Sequence, residues 1–164
     1  MYLWDIKALK KNLVAQSLTE AQVFAYFLAV LTLDTLIYEV STLLPGEEPT
    51  DVWDYVGYVV TVIFTVGGTL LAYQANGGAS GRQFLLRYFP LMWVLTIRFL
   101  VYMVPFLIVA GFLMFGFAET LFDTEAEEAE SMSITRAFLV ASWVWFLVFY
   151  YRLAVHMRDV AKAA

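Results

Sequence analysis

Three ionisable residues interrupt otherwise apolar stretches of this sequence: Asp34 and Glu39 in one, Arg98 in another. Inside a lipid-spanning helix each such group costs about 2.5–3.5 kcal/mol on insertion scales, so each needs a partner or water. Two chemistries suit them. Carboxylates in a span can hand protons or cations along a hydrated path, with a nearby guanidinium setting their pKa values. Alternatively, a carboxylate and a guanidinium can close a buried ion pair that holds a helix bundle in register. Asp34 lies about 13 residues into its apolar run, or roughly 20 Å, and Arg98, counted from Arg87, reaches roughly 16 Å. The long Arg98 side chain can bridge the remainder. The spacing therefore predicts an Asp34–Arg98 pair, with Tyr102 one turn beyond Arg98 in the same cluster. Glu39 is turned about 140° from Asp34 and faces another neighbour.

Weaker polar groups extend the pattern. Thr32, Thr35, Glu39 and Thr42 recur at three- and four-residue spacing, and Asp34, Tyr38 and Ser41 widen this into a polar arc on half of one helix. In the next apolar run Tyr58, Thr61, Thr65, Gly68, Thr69 and Ala72 make a stripe of small and weakly polar residues, which lets membrane helices approach closely. The two stripes are expected to face each other.

Two connecting segments offer further chemistry. Asn76-Gly77-Gly78-Ala79-Ser80-Gly81-Arg82 could cradle a phosphate with backbone N–H groups while Arg82 and Arg87 neutralise it. It lacks the Lys-Ser/Thr ending of a nucleotide loop and no strand precedes it. A tight turn is the simpler reading, and a lipid head group is the ligand it would suit. The acidic run from Glu119 to Glu130 lacks the residue order of a calcium loop and reads as a solvated segment. His156 is the only histidine and there is no cysteine. No metal site, cofactor site or catalytic constellation is therefore expected, and an enzyme is not the reading. A formal net charge of −5 argues against a nucleic-acid partner.

The elements that would position these residues follow from composition. Of the 164 residues, 62% are hydrophobic and 15% charged, far from the about 25% charged usage of soluble domains. Four apolar segments, at about 21–44, 55–75, 89–117 and 137–155, are each near or above the roughly 20 residues that a crossing helix needs. They are apolar all round, which excludes the alternating strands of a membrane barrel. The predicted fold is an all-α four-transmembrane-helix bundle over 19–164, preceded by an interfacial amphipathic helix over 1–18. Ser17 and Glu20 have capping-box spacing at the first span. Pro45, Gly46 and the Asn76–Gly81 stretch break the chain into short connections that favour antiparallel neighbours. Arg82 to Phe89 is expected at the interface, with Pro90 opening the third span and Pro105 kinking it.

Charge sets the orientation. Lys7, Lys10, Lys11, Arg82, Arg87, Arg152, Arg158 and Lys162 fall on one side with only Asp5, Glu20 and Asp159 against them, and the opposite connections carry ten acidic residues, Glu47, Glu48, Asp51, Asp54, Glu119, Asp123, Glu125, Glu127, Glu128 and Glu130, with Arg136 as their single base. The positive-inside rule places both termini in the cytoplasm. A bacterial inner (plasma) membrane is the expected location, the N-terminal apolar run being read as a retained span without a cleavage site. Two functions follow: a non-enzymatic protein acting by helix–helix assembly, as a homo-oligomer or an accessory subunit, or a small ion- or proton-conducting channel or transporter using Asp34, Glu39 and Arg98.

Overall fold

The computed structural model of the chain describes residues 2–43, 52–121 and 127–163, with side chains over 2–37, 52–53, 55–106, 108–109 and 140–163. Five α-helices make it up: α1 Ile6–Val14, α2 Glu20–Leu43, α3 Val52–Ala75, α4 Phe84–Leu121 and α5 Glu127–Ala163, with one 3-10 turn at Gly78–Ser80. Stretches long and apolar enough to cross a membrane lie at Glu20–Ile37, Tyr55–Ala75, Phe84–Phe106 and Val140–Ala163. Among the described residues the chain is thus all-helical, with four candidate spans. A helix closes its own backbone hydrogen bonds, which is what lipid demands. The 38 residues of α4 and the 37 of α5 make helices of about 57 and 55 Å, longer than a hydrocarbon core of about 30 Å.

Local signals place the helix starts differently from the expectation. The capping box before α2 is formed by Thr19 and Gln22: the Gln22 N–H donates to Thr19 Oγ1 (3.3 Å) and the Thr19 N–H to Gln22 Oε1 (3.0 Å). Ser17 instead donates to the Asn12 side-chain oxygen (3.0 Å) and backbone carbonyl (3.3 Å), tying down the end of α1. Thr-x-x-Gln satisfies the reciprocal geometry as well as Ser-x-x-Glu does, so two boxes competed in this stretch. Pro90 does not open the third span either. It lies inside α4, which begins at Phe84, and is among the most deeply buried residues. Packing there outweighs the backbone bond that proline removes.

The helices do not pack in chain order. α2 packs on α4, α3 on α5, α4 on α5, and α1 against both α4 and α5. The α3 stripe therefore meets α5, not the polar arc of α2. Gly68 and Ala72 are buried, and a Cβ at Gly68 would lie 2.1 Å from Tyr150 Cγ. The missing side chain is the space that the Tyr150 ring fills. The Phe99–Phe149 and Phe106–Trp145 rings, at 5.2 and 6.2 Å, set α4 and α5 antiparallel.

The core gathers at the end of the bundle where the two chain termini meet. Leu9 of α1, Leu91 and Val94 of α4, and Leu153, Met157 and Val160 of α5 are almost wholly buried there. α1 contributes Ile6, Leu9 and Leu13, so its apolar face is occupied by α4 and α5. Asp5 caps it, accepting from the N–H groups of Lys7 and Ala8 at 3.0 Å each. Lys10 Nζ reaches Asp159 Oδ2 at 2.6 Å, joining α1 to the end of α5.

Candidate functional site

The Arg98 guanidinium is held by the segment that leads into α1. Its Nε and one terminal nitrogen donate to the Trp4 carbonyl oxygen at 3.0 and 2.6 Å, and its carbon sits 5.2 Å from the Trp4 ring centroid. Tyr102, one turn further along α4, packs its ring 6.1 Å from the same indole. Arg98 and Tyr102 thus have a common partner in Trp4. Among the described residues no ion pair joins Arg98 to Asp34. The reason is tertiary: the chain before α1 turns back along α4 and sets the Trp4 carbonyl, which also accepts from the Ile6 N–H at 3.0 Å, at the level of Arg98. Tyr2 completes the attachment, its backbone N–H donating to Tyr26 of α2 at 2.5 Å and its hydroxyl accepting from the Asn12 side chain.

Asp34 remains exposed on α2, with no ion pair among the described residues. Thr32 and Thr35 turn their hydroxyls onto their own helix, donating to the Leu28 and Leu31 carbonyls at 2.8 and 2.9 Å. Two of the seven residues of the expected polar arc are therefore satisfied within α2. The side chains of Tyr38, Glu39, Ser41 and Thr42 lie outside the described residues. Deeper in the bundle the Tyr150 hydroxyl of α5 meets the hydroxyls of Thr65 and Thr69 of α3. Thr69 in turn lies 3.1 Å from the hydroxyl of Tyr88 on α4. Three helices, α3, α4 and α5, thus bring four hydroxyls together. Thr61, one turn from Thr65 on α3, is half-buried.

A second constellation closes the turn between α3 and α4. Gly77 and Gly78 have φ of +103° and +57°, left-handed values that glycine adopts without strain. Asn76, 3% exposed, donates to the Arg82 carbonyl at 3.2 Å and accepts from an Arg87 terminal nitrogen at 3.0 Å. Arg87 is 5% exposed. Its Nε has no hydrogen-bond partner, and no carboxylate pairs with it among the described residues. An unpaired buried charge costs on the order of several kcal/mol. Arg82 stays exposed, and both arginines line a cavity of about 350 Å³ against the turn.

Arg87 was legible as a base near an interface, whereas its burial was not, since that depends on α1 and α5 closing over it. Asn76 reads in the sequence as a turn former, and its role as the clasp between turn and arginine is visible only in three dimensions. Tyr88 falls in the stretch expected at the interface; the threonine partners of Tyr88 and Tyr150 on α3 carry no local signal. Among the described residues no group of three or more His, Asp or Glu side chains is placed to hold a metal ion. The chain matches none of the known protein-family models, curated proteins or solved structures.

Proposed function

We propose that this chain is a non-enzymatic integral membrane protein that acts by helix–helix assembly, as a homo-oligomer or as an accessory subunit of a membrane complex. The observation that carries this reading is Asp34: an ionisable residue inside a candidate span, exposed and without an ion pair among the described residues. Lipid does not tolerate such a group, so a polar partner from another chain is its natural complement. Exposed apolar residues along α2 and α3, such as Leu28, Leu36, Val62, Val66 and Leu70, supply the surface against which a further helix would pack. The positive-inside rule applied to the basic end of the bundle puts both termini in the cytoplasm of an inner membrane, with the lysines of α1 at the head-group level.

The absence of cysteine makes the test clean. Thr35→Cys placed beside Asp34 should give disulfide-linked dimers on mild oxidation in native membranes, or, with a thiol-to-amine crosslinker, an adduct with a partner subunit. Adducts lost when Asp34→Asn is added support the reading; a chain that stays monomeric in both variants sinks it. A second reading, a small ion- or proton-conducting protein, is favoured by the Thr65, Thr69, Tyr88 and Tyr150 hydroxyls grouped between α3, α4 and α5. Proton or cation flux in liposomes, abolished in a folded Asp34→Asn protein, would put that reading ahead.

A further inference from the structure

We propose that the turn between α3 and α4, with Arg82, Arg87 and the start of α4, is a binding site for a phosphate group, carried by a phospholipid head or supplied as free phosphate. The first observation is the state of Arg87. Its guanidinium is enclosed by protein and hydrogen-bonded to the neutral Asn76 oxygen, its Nε lacks an acceptor, and no carboxylate lines the cavity that it borders. Arginine offers five donors in a fixed fork suited to a tetrahedral anion, and here most of that fork is uncommitted to any anion of the described chain.

The second observation is what stands around it. α4 begins at Phe84, so its first N–H groups lack intrahelical acceptors and the positive end of its dipole is at the cavity. Gln83, the residue before the helix, lines the cavity, as do Ser80, Gly81 and Arg82. A Cβ at Gly81 would come within 2.3 Å of the Asn76 carbonyl, so the close wrap of the turn depends on that glycine. The opposite wall is Gln16, between α1 and α2, and Ala161 of α5. The sequence thus supplies two cations, the side-chain amides of Gln16 and Gln83 and a helix start, and the fold draws them to one point. At about 350 Å³ the cavity is some ten times the roughly 30 Å³ of one water, room for a phosphate with an ester substituent. It adjoins the start of the candidate span Phe84–Phe106, the level at which phospholipid phosphates lie.

The test is thermal unfolding of the full chain in detergent micelles with four additions at constant ionic strength: chloride, inorganic phosphate, phosphatidic acid, or diacylglycerol with the same acyl chains. Saturating ligand at about a hundred times its Kd should raise the wild-type Tm by about 5–10 °C. A rise with phosphatidic acid alone assigns the head group of a lipid, and a rise with inorganic phosphate as well assigns free phosphate as a sufficient ligand. Arg82→Gln, at an exposed position, should weaken the response about tenfold in concentration, and Arg87→Gln should abolish it. Where Arg87→Gln does not fold, Arg82→Gln decides. No rise in any arm, a diacylglycerol response equal to that of phosphatidic acid, or an Arg82→Gln protein that responds as the wild type overturns the site.

Discussion

Arg98→Gln separates the Trp4 attachment from an intramembrane ion pair. The substitution removes two charge-assisted hydrogen bonds that share the Trp4 carbonyl and the cation held over the Trp4 ring. A hydrogen bond to a charged group contributes about 1.5–3 kcal/mol, but here two donors share one oxygen and the arginine is partly open to solvent. Adding about 0.5–1 kcal/mol for the ring, the expected loss is about 2–3 kcal/mol. For a chain of this size that lowers Tm by about 4–10 °C in detergent. The loss is also local: the segment before α1 should detach and the first turn of α1 fray, so that trypsin cuts at Lys7 sooner than in the wild type, while Lys10 and Lys11 stay protected by the buried Leu9 and Leu13. Asp34→Asn should leave this protection untouched, and the double variant should be additive within about 0.5 kcal/mol, because the two residues share no partner. A direct Asp34–Arg98 pair would instead make either single substitution cost about 3–5 kcal/mol and leave a large coupling term in the cycle. Coupling above about 1 kcal/mol, or unchanged trypsin protection in Arg98→Gln, would refute the Trp4 assignment.

Three further outcomes follow from the packing. Gly68→Ala brings a Cβ to 2.1 Å from Tyr150 Cγ, so the α3–α5 contact must shift at a cost of about 1–3 kcal/mol; Gly67→Ala, where a Cβ meets nothing within 4 Å, should melt like the wild type. Leu9→Ala, at a fully buried position of α1, should cost about 2–5 kcal/mol, read by the same melting curve, whereas Lys11→Ala on the exposed side should cost little. Thr19→Ala should destabilise by about 0.5–2 kcal/mol through loss of its cap and reduce helical circular dichroism from α2, an effect that Glu20→Gln, outside the reciprocal bonds, should not reproduce.

The helical class and the number of spans were readable from local pattern alone. An apolar run of about 20 residues without alternation has one stable form in lipid, since every backbone group must find its partner within the segment. The turn at Asn76–Gly81 was equally local, because Gly77 and Gly78 occupy left-handed conformations. The partners of the polar groups were not readable. Arg98 was placed opposite Asp34 by matching depths along two helices; α2 does pack on α4, but depth says nothing about which faces meet, and Asp34 stays exposed while Arg98 turns to Trp4. Trp4 became the partner of Arg98 because the chain before α1 folds back beside α4, a contact 94 residues distant in sequence. The small residues of α3 announced a close approach without naming the helix approached; the Tyr150 ring filled the space at Gly68. Backbone hydrogen bonding and apolar length act within a segment and are written in it, whereas the pairing of charges and hydroxyls depends on side chains from separate helices arriving at one place, which only the packed bundle decides.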